Sequence, residues 1–320
     1  MLYGKSEGSS PASGGSYSLT AVYGNYYSYG FDTGITQLAL NGIVGSTVSA
    51  SLTESYTGAA SCSNPSSIAT LGTNSKVYII DASGVAGAGV ELAGNSTANI
   101  LIGSAADDVI TGGKGTDSLT GNAGSDKFVF HFGDASQNSD SYSYSGTDTT
   151  QMLLGMPDTI DDFTVGTDKI SLLTSSGAQE NPTAVYYGGT VHVTYNVTTN
   201  MSANSASITD ANGTTTSYDL TSSDALAQYN QALHTCAVND KNGSLGGTEA
   251  LGANEAVVWN VELTMAFDST SSTSTYSMLA VNDNDATFNS KDVVINLGYT
   301  AFNGSYDATT GLVSSSFFSS

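Results

Sequence analysis

The sequence predicts a mostly β protein with little helix, and three observations predict it. Ser, Thr, Gly, Val and Tyr dominate the 320 residues while strong helix formers are scarce, a balance that favours strands and turns. Short apolar runs are bounded by Gly and Asn. A central stretch repeats every nine residues with one large apolar side chain per repeat, and such a unit must stack on copies of itself to bury that side chain. With 39% apolar residues the chain can bury a sizeable core, in one large domain or two to three small ones.

The elements follow in order. Residues 1–30 are rich in Gly, Ser and Tyr. Strand-like pieces come at 35–40, at 47–52 with apolar and polar residues alternating, and at 76–81. The periodic stretch occupies about 85–130, and 133–151 is polar and loop-like. Strands resume at 184–187 and 191–195. Asn212-Gly213 between strand-like flanks signals a hairpin. The best helix candidate is 224–233, with Ser223 as N-cap and Leu226, Tyr229 and Leu233 on one face. Further strands are expected at 256–259, 276–281 and 292–297. This divides the chain into a β-rich segment at 1–84 that serves as an assembly region, the repeats and their closing segment at 85–175, and a β-rich domain at 176–320.

Charge is lopsided: 29 acidic residues face 7 basic ones, all lysine. A net charge of −22 argues against nucleic acid and anionic membrane as partners, because both are held by Lys and Arg. No stretch reaches the ~20 apolar residues of a membrane span. Met1-Leu2-Tyr3-Gly4-Lys5-Ser6 has no apolar core of a cleavable export signal. The chain is therefore cytosolic, exported by another route, or already trimmed. Cys62 and Cys236 allow one long-range disulfide or two free thiols.

Four nonapeptides run without gaps from Gly94, Gly103, Gly112 and Gly121. Position 6 is Asn99, Asp108, Asp117 and Asp126, and position 8 is Leu101, Ile110, Leu119 and Phe128. Gly at positions 1, 2 and 4 permits a tight turn whose carbonyls point one way. The carboxylate at position 6 adds a hard oxygen suited to Ca²⁺, which takes six to eight oxygen ligands. Stacking such loops brings carboxylates together, and two at ~4 Å repel by about 1 kcal/mol in water and about 4 at an effective dielectric of 20. A cation turns that repulsion into attraction.

The pattern resembles the RTX (repeats-in-toxin) family, and the resemblance implies a short parallel β-roll in which calcium sits between loop i and loop i+2. One ion is then expected between loops 103–108 and 121–126, with Gly103, Ala105, Asp108, Gly121, Ala123 and Asp126 as ligands. A second is expected between 94–99 and 112–117, with Asn99, Gly112, Lys114 and Asp117; there Asn99 replaces the aspartate. Ala106 and Thr97 also replace the fourth-position glycine. Asp158-Thr159-Ile160-Asp161-Asp162-Phe163 followed by Gly166-Thr167-Asp168-Lys169-Ile170 is similar to the segment that closes such rolls, which brings Asp158 and Asp162 into the expected metal set. The family further implies an extracellular or bacterial cell-surface location, reached through the type I secretion machinery by an uncleaved C-terminal signal. The small, polar and aromatic stretch 312–320 is compatible with one. A separate calcium-loop candidate, Asp283 to Asn289 with Asp292 beyond, lacks the Gly and Glu of an EF-hand and reads better as a solvated turn.

No enzyme is expected. His131, His192 and His234 form no zinc-protease motif, and Gly4-Lys5-Ser6-Glu7-Gly8 has no strand before it to make a nucleophile elbow. The leading expectation is a secreted, calcium-dependent structural protein whose copies assemble into a surface layer or filament. An adhesin gripping a cell-surface glycan through Tyr186, Tyr187, Trp259 or Tyr276 is the second, and an RTX-linked hydrolase the third.

Overall fold

The computed structural model describes residues 79–134, 157–197, 205–220, 251–285 and 292–299, with gaps at 88, 97, 211–212 and 268–269. It also describes the backbone of five strand segments before residue 72 and scattered positions at 228–232 and 302–319. Tyr-rich residues 1–30 lie outside it except for one short strand, as do Cys62, Cys236 and His234. The described residues contain nineteen strands. In the first part of the chain they are β1 (Ser18–Thr20), β2 (Gln37–Val44), β3 (Ser49–Leu52), β4 (Ala59–Ser61), β5 (Ala69–Leu71) and β6 (Ile79–Ala86). The repeats supply β7 (Glu91–Ala93), β8 (Ile100–Ile102), β9 (Val109–Thr111), β10 (Ser118–Thr120) and β11 (Lys127–His131). There follow β12 (Asp158–Ile160), β13 (Lys169–Leu173), β14 (Ala184–Val197), β15 (Ser205–Thr209) and β16 (Thr215–Asp219). The last three are β17 (Glu255–Phe267), β18 (Thr270–Val281) and β19 (Val293–Asn296).

The chain forms two compact units. The first comprises 1–130, 160–172 and Ser319, and the second 131–159, 173–318 and Ser320. These differ from the three stretches drawn on the sequence, because the segment before residue 85 stacks on the repeats.

In the first unit successive repeats alternate between two sheets. One runs β1-β4-β3-β5-β7-β9-β11-β13 and the other β10-β8-β6-β2. Pairing is parallel from β3 through β5, β7 and β9 to β11, and from β2 through β6 and β8 to β10. The three-residue repeat strands leave their flanks half-buried and bury their centres. Leu92, Leu101, Ile110, Leu119 and Phe128 are accordingly fully buried. These strands are short because the sequence returns to a glycine turn every ninth residue. Upstream, Ile80 stands beside Leu101 and Ala69 beside Leu92, so the roll continues past the nonapeptides without their spacing.

The second unit is one sheet in the order β16-β15-β14-β17-β18-β19-β12. Val191, Val193, Val257, Trp259, Val261, Leu263, Tyr276, Met278 and Val294 form its core on one face. The hairpin at Asn212-Gly213 is present: Gly213 adopts φ +81° and donates its N–H to Asp210 O, joining β15 to β16. The strands expected at 184–187 and 191–195 are one, β14, interrupted by a register shift between Tyr187 and Thr190. β17 and β18 run well beyond the pieces expected. The Ser/Thr run at 270–275, outside the strands expected, pairs along its length with β17, Thr273 against Thr264. Of 224–233, the described residues Gln228, Tyr229 and Ala232 are helical; Ser223, Leu226 and Leu233 lie outside the described residues.

Candidate metal centre

The loops between repeat strands fall into two columns. Loops 103–108 and 121–126 lead from the second sheet of the first unit to the first, and 161–168, between β12 and β13, joins their column. Loops 94–99 and 112–117 lead the opposite way. The position-6 side chains divide two backbone tasks between them, and Asp108 performs both. Within its own loop the side chain caps position 2: Ser104 N–H donates to Asp108 Oδ2 at 2.7 Å and Asn95 N–H to Asn99 Oδ1 at 2.8 Å. Across to the loop eighteen residues earlier the side chain caps position 6: Asp108 N–H donates to Asp126 Oδ1 at 2.9 Å, and Asn99 N–H to Asp117 Oδ1 at 2.8 Å. A β-carbon on Gly112 or Gly121 would run into the Asp117 or Asp126 carboxylate, which explains the glycine at position 1. Asn99, Asp108, Asp117 and Asp126 are all buried.

The column does not end with the repeats. Asp126 N–H donates to Asp168 Oδ1 at 3.1 Å, and Thr164 N–H to Asp168 Oδ2 at 2.7 Å. Asp168 thus holds the sixth place of one more turn, with Gly166 at φ +91° where Gly115 and Gly124 are also left-handed, and Ile170 fully buried at the eighth. Asp162 accepts the N–H groups of Gly121 (3.0 Å) and Asn122 (2.7 Å). Asp161 accepts Ser118 Oγ at 2.8 Å.

These carboxylates crowd one another. Burial, then Asp108, Asp168 and Asp162, push Asp126 up to about 6. Burial raises Asp108, Asp161 and Asp168 as well, with Asp107 adding to the first and Asp162 to the other two. Asp117, in the opposite column, is pushed up to about 7 by burial. Main-chain oxygens also face between loops: the Gly121 carbonyl stands 2.9 Å from where a Gly103 β-carbon would be, and Asn122 Nδ2 reaches Gly103 O at 2.9 Å. The donor set is oxygen throughout, which fits a hard cation such as Ca²⁺ and not a thiolate or imidazole metal. Among the described residues no three His, Cys, Asp or Glu side chains gather to hold a metal by themselves. A cation here must draw on backbone carbonyls, as Ca²⁺ does.

The structure gathers Gly103, Ala105, Asp108, Gly121, Ala123, Asp126 and Asp162 in one column, and Asn99, Gly112, Lys114 and Asp117 in the other. Asp158 belongs to neither: it lies buried in β12 of the second unit, paired with Ile295 of β19. Asp161 and Asp168 were not in the expected metal set. The signal for Asp168 is the echo of Asp126-Lys127-Phe128 in Asp168-Lys169-Ile170, masked by the long segment between them. The turn at Asp283 is more enclosed than a solvated one, since Asp292 is fully buried and accepts Asp283 N–H at 2.8 Å.

Residues 93–128 match the RTX calcium-binding nonapeptide repeat, in four copies. A search of the curated proteins finds no match to the chain. The repeats are calcium-binding motifs, so the chain is a calcium-binding protein, and loops 94–99, 103–108, 112–117 and 121–126 lie within the matched residues while 161–168 lies beyond them.

Proposed function

We propose that this RTX-repeat protein is a secreted structural subunit that folds on calcium outside the cell and assembles with copies of itself into a surface layer or filament. Calcium at Gly103, Ala105, Asp108, Gly121, Ala123, Asp126 and Asp162 fixes the roll. Low cytosolic calcium leaves the roll loose for export through type I secretion. Among the described residues no helix is long and apolar enough to cross a membrane.

The observation that carries the assembly reading is β16. It is the terminal strand of its sheet, with β15 on one side and no described strand on the other, and Thr215, Thr216, Ser217 and Asp219 are exposed. A terminal strand offers main-chain groups to another chain's strand. The adhesin reading loses two of its aromatic candidates, because Trp259 and Tyr276 are packed in the core. A catalytic role gains nothing from His192, which pairs with Glu262 at 2.9 Å on a half-exposed strand face.

The test is negative-stain microscopy and light scattering of the purified chain with and without millimolar calcium. Ordered sheets or fibres that need calcium, and that weaken when Thr215 and Ser217 become lysine, are expected. A stable monomer at high concentration in calcium would sink the assembly reading.

A further inference from the structure

The two loop columns share one backbone design but not one charge. Loops 103–108, 121–126 and 161–168 carry Asp107, Asp108, Asp126, Asp161, Asp162 and Asp168 and no lysine. Loops 94–99 and 112–117 carry Asp117 alone against Lys114. We infer that the roll takes calcium along the first column only, and that the 94–99/112–117 column is built to hold together without an ion.

Asn99 is the reason. Its Oδ1 accepts Asn95 N–H at 2.8 Å, reproducing the bond that Asp108 Oδ2 makes to Ser104 N–H at 2.7 Å. The loop therefore keeps its turn with a neutral group. The other limb of the side chain differs. Asp108 presents a second carboxylate oxygen, which accepts Val90 N–H at 2.6 Å and Ser104 Oγ at 2.8 Å. Asn99 presents Nδ2, which donates to Ala98 O at 3.2 Å. An amide N–H₂ cannot ligate a cation and turns its positive end toward one. The loops of this column are joined by the same direct bonds as the first column, Asn99 N–H to Asp117 Oδ1 and Gly94 N–H to Thr111 O at 2.8 Å, with Lys114 N–H to Asn95 O at 2.9 Å besides. Asp117 Oδ2 is buried and accepts no hydrogen bond among the described residues, a single carboxylate oxygen where calcium takes six to eight ligands. At position 3, where the first column has Ala105 and Ala123, this column has Ser96 and Lys114.

In the first column the acid accumulates instead. Asp107 accepts Ser125 N–H at 2.8 Å, and Asp162 and Asp168 add their carboxylates against the 121–126 loop. Of the lysines that follow these loops, Lys169 acts on Asp168 and Lys127 on Glu91, so the carboxylates of the three stacked loops are only partly offset and call for a counter-ion within them.

This inference rests on the calcium reading of the repeats, and one titration series separates the two. Calcium stoichiometry of the full chain is measured by equilibrium dialysis and calorimetry for wild type, Asp117→Asn, Asp126→Asn and the double variant Asn99→Asp/Lys114→Ala, with circular dichroism confirming that each folds. Asp117→Asn is expected to bind as many ions as wild type and Asp126→Asn fewer. The double variant is expected to bind about one more, since it gives the second column the carboxylate oxygens that calcium ligation requires. If Asp117→Asn loses as many ions as Asp126→Asn, the one-column assignment is overturned. A wild-type chain that binds no calcium overturns the calcium reading itself.

Discussion

Asp126 Oδ1 accepts the main-chain N–H of Asp108, eighteen residues upstream, at 2.9 Å. One side chain therefore serves both as a backbone cap that stacks two turns and as a candidate ligand between them. The two tasks separate by substitution. Asp126→Ala leaves a buried N–H without its acceptor, so about 1–3 kcal/mol of stability is expected to disappear in urea titrations even in EGTA. Asp126→Asn keeps an oxygen at Oδ1 and should lose far less in EGTA, while losing most of the stabilisation that calcium adds.

Asp168 extends the same ladder over Asp126. Hydrogen exchange in EGTA is expected to show faster exchange at the Asp126 and Thr164 amides in Asp168→Ala than in Asp168→Asn. Equal protection in the two variants would contradict its role as a cap.

Two left-handed glycines predict a contrast. Gly166 has open space around the site of a β-carbon, so Gly166→Ala carries only the backbone strain of about 1–2 kcal/mol. At Gly124 the same atom would stand 2.6 Å from the Ala106 carbonyl carbon of the loop below. Gly124→Ala is expected to cost clearly more in thermal unfolding and to weaken calcium binding as well.

Acid should act in opposite senses with and without calcium. The raised carboxylates, with Asp126 at about 6 and Asp117 at about 7, bind more protons folded than unfolded. Their contribution to stability is full below the unfolded value of 3.8 and is lost as pH rises through 6 to 7. In EGTA the roll is expected to gain stability as pH is lowered from about 8 toward 5, within the usual carboxylate linkage. In calcium, protons compete with the ion and apparent affinity should fall over the same range. Midpoints of denaturant unfolding against pH in both buffers check the two signs.

Trp259 lies fully buried in the core of the second unit, and its Nε1 has no hydrogen-bond partner among the described residues. Trp259→Ala is expected to cost about 3–5 kcal/mol. Trp259→Phe should cost less than half of that, because it removes an unsatisfied donor along with the lost contacts. Denaturant unfolding followed by circular dichroism measures both.

The sequence by itself determined the class, the nonapeptide register and the oxygen chemistry. All three are written in residues at most nine apart: a glycine that must clear the Asp117 or Asp126 carboxylate, the Asp108 carboxylate that caps its own loop, and Leu119 or Phe128 pointing inward. Tertiary structure alone decided what depends on partners far along the chain. Ile80 and Ala69 join the roll at spacings that break the period. Ser271 to Thr275 become strand because β17 lies beside them. Asp158, adjacent to the closing motif, falls in the second unit, whereas Asp168 completes the column beyond a long intervening segment. Local rules state what a loop can do, but which loop lies above it is set by which apolar side chains find a common interior.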